Sequence, residues 1–357
     1  MPPRIYIHAT NVHQGGGRAL LAPLLEALPD SPEMYALLDN RMQTPYGMRK
    51  CIQIKRVHPS IFGRLRAEQW LANNVMLGDL VICFGNLPPL FKLRGRAVVF
   101  LQNRYLIDDV CLSEFQPKIR ARIMMERLWV SSRLANADEF IVQTPTMKRL
   151  LEAKTKSSVS IRVLPFVADP KGYAPSTSHE GKLQNKFSDF LYVASGEPHK
   201  NHLQILDAWR LLAEEGLFPS LRLTLDEVRF QPLCREIVDI SERYGLKVTN
   251  LGMLSHGEVL SLYAKVDALI FPSSFESFGL PLIEARQAGL PIVAAELDYV
   301  RDVLDPEHSF DPESPISIAR AVKRFIGIDE VLLPLLDAKG FLEQVVGKAE
   351  IFIKNPL

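Results

Sequence analysis

Phe-Pro-Ser-Ser-Phe-Glu-Ser-Phe-Gly-Leu-Pro-Leu-Ile-Glu-Ala-Arg-Gln-Ala-Gly-Leu-Pro, residues 271–291, is the stretch on which the fold of this chain turns. Ala268 to Phe271, leading into it, is a short apolar run suited to a buried strand, whereas Leu280 to Ala288 has the length and composition of a helix. Pro281 fits the first helical turn and Gly289 the stop. A helix that starts directly after a parallel strand presents unpaired backbone N–H groups and the positive end of its dipole. Ser277, Phe278, Gly279 and Leu280 are therefore expected to form a seat for an anion.

Two glutamates flank that seat. Helical side chains lean toward the helix N-terminus, so Glu284, about one turn in, is expected to point back to the mouth that Glu276 flanks. Ionised carboxylates only accept hydrogen bonds, which suits a polyhydroxyl ligand. Hydroxyls on glutamates and phosphate on amides together describe a nucleotide sugar. Taken singly, each glutamate also fits a solvated helix start with a dipole-favoured acid.

The full string, Glu-x7-Glu with Phe-Gly-Leu-Pro between, Glu-Ala at its end and Gly-x-Pro closing it, resembles the donor site of retaining GT-B glycosyltransferases of group 1, also called family four. The resemblance implies an α/β chain of two doubly wound Rossmann-like domains facing a central cleft. It also implies roles: Glu284 on the nucleotide ribose, and Glu276 against the transferred sugar close to the reacting carbon. The segment after Glu284 reads Ala-Glu-Leu-Asp-Tyr-Val-Arg-Asp-Val at 295–303, and here the chain is similar to bacterial transferases of O-antigen or capsular polysaccharide. A GDP-mannose-type donor and a UDP-sugar share every one of these motifs.

Ser195-Gly196-Glu197-Pro198-His199-Lys200-Asn201 follows an apolar strand pattern and precedes a helical one, which makes a second anion seat. Lys200 supplies a mobile ammonium there, able to neutralise a diphosphate as the leaving group gathers charge. An ordinary exposed lysine is the alternative. The resemblance places the pyrophosphate-binding lysine in this Lys-Asn context. Relatives also carry an arginine several residues earlier, where this chain has Val193-Ala194-Ser195. Ser195 with backbone amides, or an arginine from elsewhere, is expected to stand in.

At 357 residues the chain exceeds one ordinary core, so two domains are the default. Strand and helix patterns alternate throughout, which argues for parallel sheets covered on both faces. Residues 1–168 read as an acceptor-side Rossmann-like domain and 169–187, polar and turn-rich, as the linker. Residues 188–330 read as a nucleotide-sugar-binding domain whose last strand is Pro291 to Ala295. The helical tail at 331–357 crosses back to the first domain in the resembled family. In the first domain, Arg4 to His8 reads as a strand, Gly15, Gly16 and Gly17 as a loop, and Ala19 to Leu28 as a helix. The loop lacks the third glycine of a dinucleotide fingerprint, Leu20 standing in its place, which weakens a dehydrogenase reading. Glycines still let backbone approach a ligand, and in the resembled family such a loop faces donor phosphates and acceptor; a plain turn is the alternative. Asn103, in Gln102-Asn103-Arg104 at a strand end, stands where many relatives have a catalytic histidine. It can hydrogen-bond sugar or acceptor hydroxyl, or simply cap its own turn.

Composition narrows the partners. No run of eighteen apolar residues appears and the first residues lack the regions of a signal peptide, so the expected location is the cytosol. Cys51, Cys83, Cys111 and Cys234 are scattered without a Cys-x-x-Cys pair, which argues against a disulfide framework or zinc. His199 and His202 lack a third ligand at a convincing spacing, and no Asp-x-Asp motif is present; neither metal nor cofactor is expected. Residues 1–168 hold 23 Lys and Arg against 13 Asp and Glu, while the remainder is acidic. No nucleic-acid motif accompanies that basic half. Pro117 to Leu134 mixes five basic residues with apolar ones, as either a core-packing helix or a helix lying on an anionic membrane would. The latter fits a peripheral enzyme collecting a lipid-linked saccharide acceptor. A non-catalytic donor-binding scaffold and a nucleotide-sugar epimerase share the donor pocket, whereas a glycosidase would need a protonated acid where a helix start favours the ionised form.

Overall fold

The computed structural model describes residues 3–29, 33–48, 51–155, 158–170, 188–328 and 333–347. They divide into two units, the first within residues 1–175 and 333–357 and the second within 176–332. The first holds β1 (Ile5–Ala9), α1 (Gly15–Ala27), β2 (Met34–Asp39), β3 (Gln53–Val57), α2 (Ile61–Asn74), β4 (Leu80–Cys83), β5 (Arg96–Phe100), α3 (Pro117–Arg133), β6 (Glu139–Val142), α4 (Pro145–Thr155) and β7 (Ser160–Val163). The second holds β8 (Asp189–Tyr192), α5 (His202–Glu214), β9 (Ser220–Leu223), α6 (Gln231–Tyr244), β10 (Val248–Asn250), α7 (His256–Tyr263), β11 (Ala268–Phe271), α8 (Leu280–Gln287), β12 (Ile292–Ala295), α9 (Asp298–Arg301), β13 (His308–Phe310) and α10 (Pro315–Phe325). A last helix, α11 (Ala338–Val346), belongs to the first unit.

Each unit is a wholly parallel sheet, ordered β3-β2-β1-β4-β5-β6-β7 in the first and β10-β9-β8-β11-β12-β13 in the second. Strands β1, β4, β6 and β11 are buried along their whole length, as strands between two helical layers are. Both units are doubly wound α/β folds of the Rossmann kind. In such a sheet the chain reverses direction across one strand pair, here β1/β4 and β8/β11, and the loops leaving that pair diverge to open a crevice.

Helix α11 closes the first core. Phe341 packs on Phe166 at 4.4 Å and on Phe100 at 5.2 Å between ring centroids, and Asp337 caps the helix by accepting from the Gly340 N–H at 2.7 Å.

The structure revises three local expectations. Gly15, Gly16 and Gly17 are the first turn of α1 rather than a loop before it, with Gly15 at φ +65°. The apolar pattern from Arg64 to Met76 predicts a helix there, and α2 instead begins at Ile61, a turn earlier, because the Ser60 hydroxyl accepts from the Gly63 N–H at 3.1 Å. Pro291 to Ala295 is not the last strand: β13 pairs beyond it, Val293 opposite His308, and at three residues is too short to show a period. Of the linker expected at 169–187, residues from 171 on lie outside the described residues, as does the tail from 348.

Candidate active site

The loops that follow β8 and β11 are the two that diverge at the second switch point, and polar contacts tie them together. The His199 carbonyl accepts from the Ser274 N–H at 2.8 Å. Asn201, held in the left-handed region at φ 59°, donates from its side-chain amide to the carbonyls of Pro272 and Pro312 at 3.0 and 3.3 Å. A short polar side chain tolerates that conformation better than most. The Tyr192 hydroxyl donates to the Lys200 carbonyl at 2.6 Å, and the Tyr299 hydroxyl to the Ser273 carbonyl at 2.8 Å. Burial and the nearby Glu276 charge raise both phenols' pKa values, so they stay protonated donors.

That bracing brings Lys200 and Glu276, 76 positions apart, into an ion pair between Nζ and Oε1. Each side chain is only 15% exposed, enough for a ligand to reach and little enough to strengthen the pair. Behind them His202 is pushed down to about 4, chiefly by burial and then by Lys200, so its imidazole is neutral and adds no charge to the site.

Helix α8 starts at the same mouth. Gly279 caps it at φ +72°, where a side chain would be strained and its Cβ would lie 2.9 Å from Leu282 Cδ1, so glycine is favoured. A cavity of about 520 Å³ opens over this start, lined among others by Ser195, Lys200, Arg229, Glu276 and the run from Ser277 to Leu280. Seven of the residues named from sequence thus share one site: Ser195, Lys200, Glu276, Ser277, Phe278, Gly279 and Leu280.

Glu284 does not share its wall. Its Oε2 accepts from the Tyr263 hydroxyl at 3.2 Å, and its Oε1 lies 2.9 Å from His256 Nε2. Both partners belong to α7, which packs against α8 and holds the carboxylate on that side. Tyr263 is buried, and burial with the Glu284 charge raises its pKa, so it remains a donor.

In the first unit Asn103 caps its own turn: its Oδ1 accepts from the Tyr105 N–H at 3.1 Å. Asn86, at φ 67°, fixes the same strand end by accepting from the N–H groups of Gln102 and Asn103 at 2.6 and 3.0 Å. Gly15 and Gly16 have no atom within 4 Å of where a Cβ would stand, and Gly16 borders a separate cavity of about 430 Å³ with Leu101, Gln102 and Thr144. Open space beside glycine marks a surface that a ligand can approach.

Arg229 lines this cavity, and His256 and Tyr263 hold Glu284; the motifs gave none of the three a part. Arg229 lies in the loop that leaves β9, and a cation just past a parallel strand was its one signal in the sequence.

Residues 176–331 match the family model described as Glycosyl transferases group 1. The match spans the second unit, less than half of the chain. Over 221 residues the chain is 28% identical to the serotype-specific mannosyltransferase WbdA of Escherichia coli, an alignment covering 57% of this chain and 27% of that one. It is 30% identical over 120 residues to the O-antigen chain mannosyltransferase B of Escherichia coli, covering 32% of this chain and 30% of that one. The chain thus spans about a third or less of these relatives' length. Among solved structures it is similar to a sucrose-phosphate synthase from Thermosynechococcus elongatus, with 16% identity and a TM-score of 0.36, over 98% of this chain and 96% of that one.

Proposed function

We propose that the chain is a retaining hexosyltransferase that moves a sugar from a nucleoside-diphosphate donor to a saccharide acceptor in the assembly of a bacterial surface polysaccharide. The observation that carries this reading is the Lys200–Glu276 pair at the mouth of an amide-lined seat, on the switch point of the unit that matches the group 1 glycosyl transferase family model. Relatives named as mannosyltransferases support mannose, and hence a GDP-mannose-type donor; a UDP-sugar is the other candidate.

In this mechanism the diphosphate takes Lys200 and the N–H groups from Ser277 to Leu280, which stabilise negative charge as it gathers on the leaving group. Glu276, beside the lysine, positions the sugar. Glu284, with Tyr263 and His256 beside it, accepts from the ribose hydroxyls. The bond from the anomeric carbon to the phosphate oxygen breaks, a bond to the acceptor oxygen forms on the same face, and the acceptor proton passes to the departing phosphate. Lysine and helix-start amides neutralise the diphosphate, and no metal ion is assigned a part. Asn103 and the Gly15–Gly17 turn belong to the acceptor side.

The test is incubation of the purified chain with a panel of nucleotide sugars, following nucleoside diphosphate release with and without saccharide acceptors. Acceptor-dependent release from one donor, with the anomeric configuration kept, is expected. Donor binding without turnover under every condition would leave only a scaffold.

We place the protein at the inner face of the cytoplasmic membrane with a lipid-linked acceptor. Helix α3 buries only Ile123 and Val130, while Met124, Met125 and Leu128 are exposed together with the basic residues of its first turns. Arg64 lies 4.7 Å over the Trp129 ring and joins α3 to α2, whose start exposes Ile61 and Phe62. Apolar side chains set among cations suit an anionic bilayer surface. Among the described residues no helix is long and apolar enough to cross a membrane. Flotation with vesicles is expected to recover the protein with anionic lipid and not with zwitterionic lipid alone; equal recovery from both would remove the assignment.

A further inference from the structure

Two cations border the cavity over α8, and only one has a part in the mechanism above. Among the described residues, the ionisable groups in its lining are Lys200, Asp226, Arg229 and Glu276. With Lys200 alone the wall would be net negative, a poor place for a diphosphate, whereas Arg229 brings it to neutrality before the helix-start amides are counted.

The position of Arg229 follows from how its loop is built. Asp226 Oδ1 accepts from the N–H groups of Val228 and Arg229 at 2.9 and 3.1 Å, and the Asp226 carbonyl accepts from the Phe230 N–H at 3.0 Å. The Phe230 ring then seats against the loop that carries Lys200: a Cβ on Gly196 would lie 2.5 Å from Phe230 Cγ, so a glycine is required for this approach. The guanidinium lies 5.0 Å over the same ring and donates from Nη2 to Glu197 Oε1 at 3.2 Å. Glu197 in turn accepts from the Ser195 hydroxyl through its other oxygen. Hydrogen bonding from Ser195 holds the Glu197 carboxyl below its ordinary range, so it stays ionised and keeps its hold.

Lys200 with Glu276 and Arg229 with Glu197 are therefore two cations, each resting on a carboxylate at the rim of one cavity. We propose that Arg229 is the second cation of the diphosphate seat, standing in for the arginine that the Val193-Ala194-Ser195 segment lacks, with Glu197 as the side chain that positions it. A planar guanidinium presents two parallel N–H groups to two oxygens of one phosphate, a fixed fork that a lysine's ammonium does not offer. The lysine is left to the oxygens nearer the sugar, where it meets Glu276. The inference rests on the donor reading given above and names a residue that reading does not contain.

Calorimetric titration of the full chain with inorganic pyrophosphate, GDP, UDP and the parent nucleosides tests it. The proteins are wild type, Arg229→Ala, Arg229→Lys and Lys200→Ala, with Arg235→Ala, an exposed arginine on α6, as the charge control. Arg229→Ala is expected to weaken binding of pyrophosphate and of the preferred diphosphate by about tenfold or more, as loss of a charge-assisted pair does. Binding of the nucleoside should be unchanged, Arg229→Lys should recover part of the loss, and the effect should shrink in high salt. Wild-type binding that Lys200→Ala weakens while Arg229→Ala stays within twofold overturns the assignment and leaves the donor reading standing. Failure of the wild type to bind any diphosphate overturns the donor reading, and this assignment with it.

Discussion

Replacing Glu276 with alanine is expected to lower kcat by about 10²–10³-fold with every donor and acceptor pair, while the folded state survives. The size follows from the position: the carboxylate sits at the cavity mouth, 15% exposed and paired to Lys200, where a charge that positions the reacting sugar acts with little screening by water. The fold is spared because the loop that carries Glu276 is held by other groups, chiefly Ser273, Ser274 and Asn201 on backbone carbonyls, and the truncated side chain supports none of them. Stopped assays of diphosphate release beside a thermal melt read both halves. Activity within a few-fold of wild type would remove Glu276 from the mechanism; loss of the cooperative melt would make it a structural residue. Glu276→Gln separates shape from charge, since it keeps the hydrogen-bonding carbonyl and loses the charge that holds Lys200.

Lys200→Ala carries the second large effect, expected as a loss of about 10²-fold or more in kcat/KM that falls on kcat as well as on KM. Two consequences of the one deletion add. The departing diphosphate loses its ammonium, and Glu276 loses the cation that offsets its own charge beside an anionic ligand. The second part has a signature: the double variant Lys200→Ala/Glu276→Ala should be hardly worse than the worse single variant, because the two act as a unit. Strictly additive losses would show that the lysine serves phosphate alone and that the ion pair has no part in turnover. Lys200→Arg is expected to recover little, since Nζ lies deep against Glu276 and a guanidinium needs more room.

Much of this site was legible in the sequence because its parts are local. Pro281 and Gly289 bracket α8 as proline and glycine should, Gly279 takes the left-handed cap, and the amides from Ser277 to Leu280 follow from a helix start after a strand. Ser255 to Glu258 form the capping box that their spacing announces. Glu284 marks where such reading stops. Helical geometry alone aims its carboxylate at the mouth, but Tyr263 and His256 on α7 offer two hydrogen-bonding groups to one side, and a side chain with free rotamers goes to the stronger partners. Asn103 shows the converse: the residue sits at a strand end as read, and its side chain serves the backbone of its own turn. Arg229 left only a faint signal because its loop has no motif; its place depends on a phenylalanine ring meeting a glycine 34 positions earlier.

The amino-acid sequence by itself determined the alternation of strands and helices, the two wholly parallel sheets that alternation requires, and the glycine-capped start of α8, since these depend on periodicity, caps and neighbours within a few residues. Tertiary structure alone decided which charges meet: Lys200 with Glu276, Arg229 with Glu197, and Glu284 with α7. Those pairings join residues 21 to 76 positions apart, and Coulombic and hydrogen-bonding contacts act over a few ångströms of space. Only the strand order, which sets β8 beside β11 and brings their loops together, makes that space small.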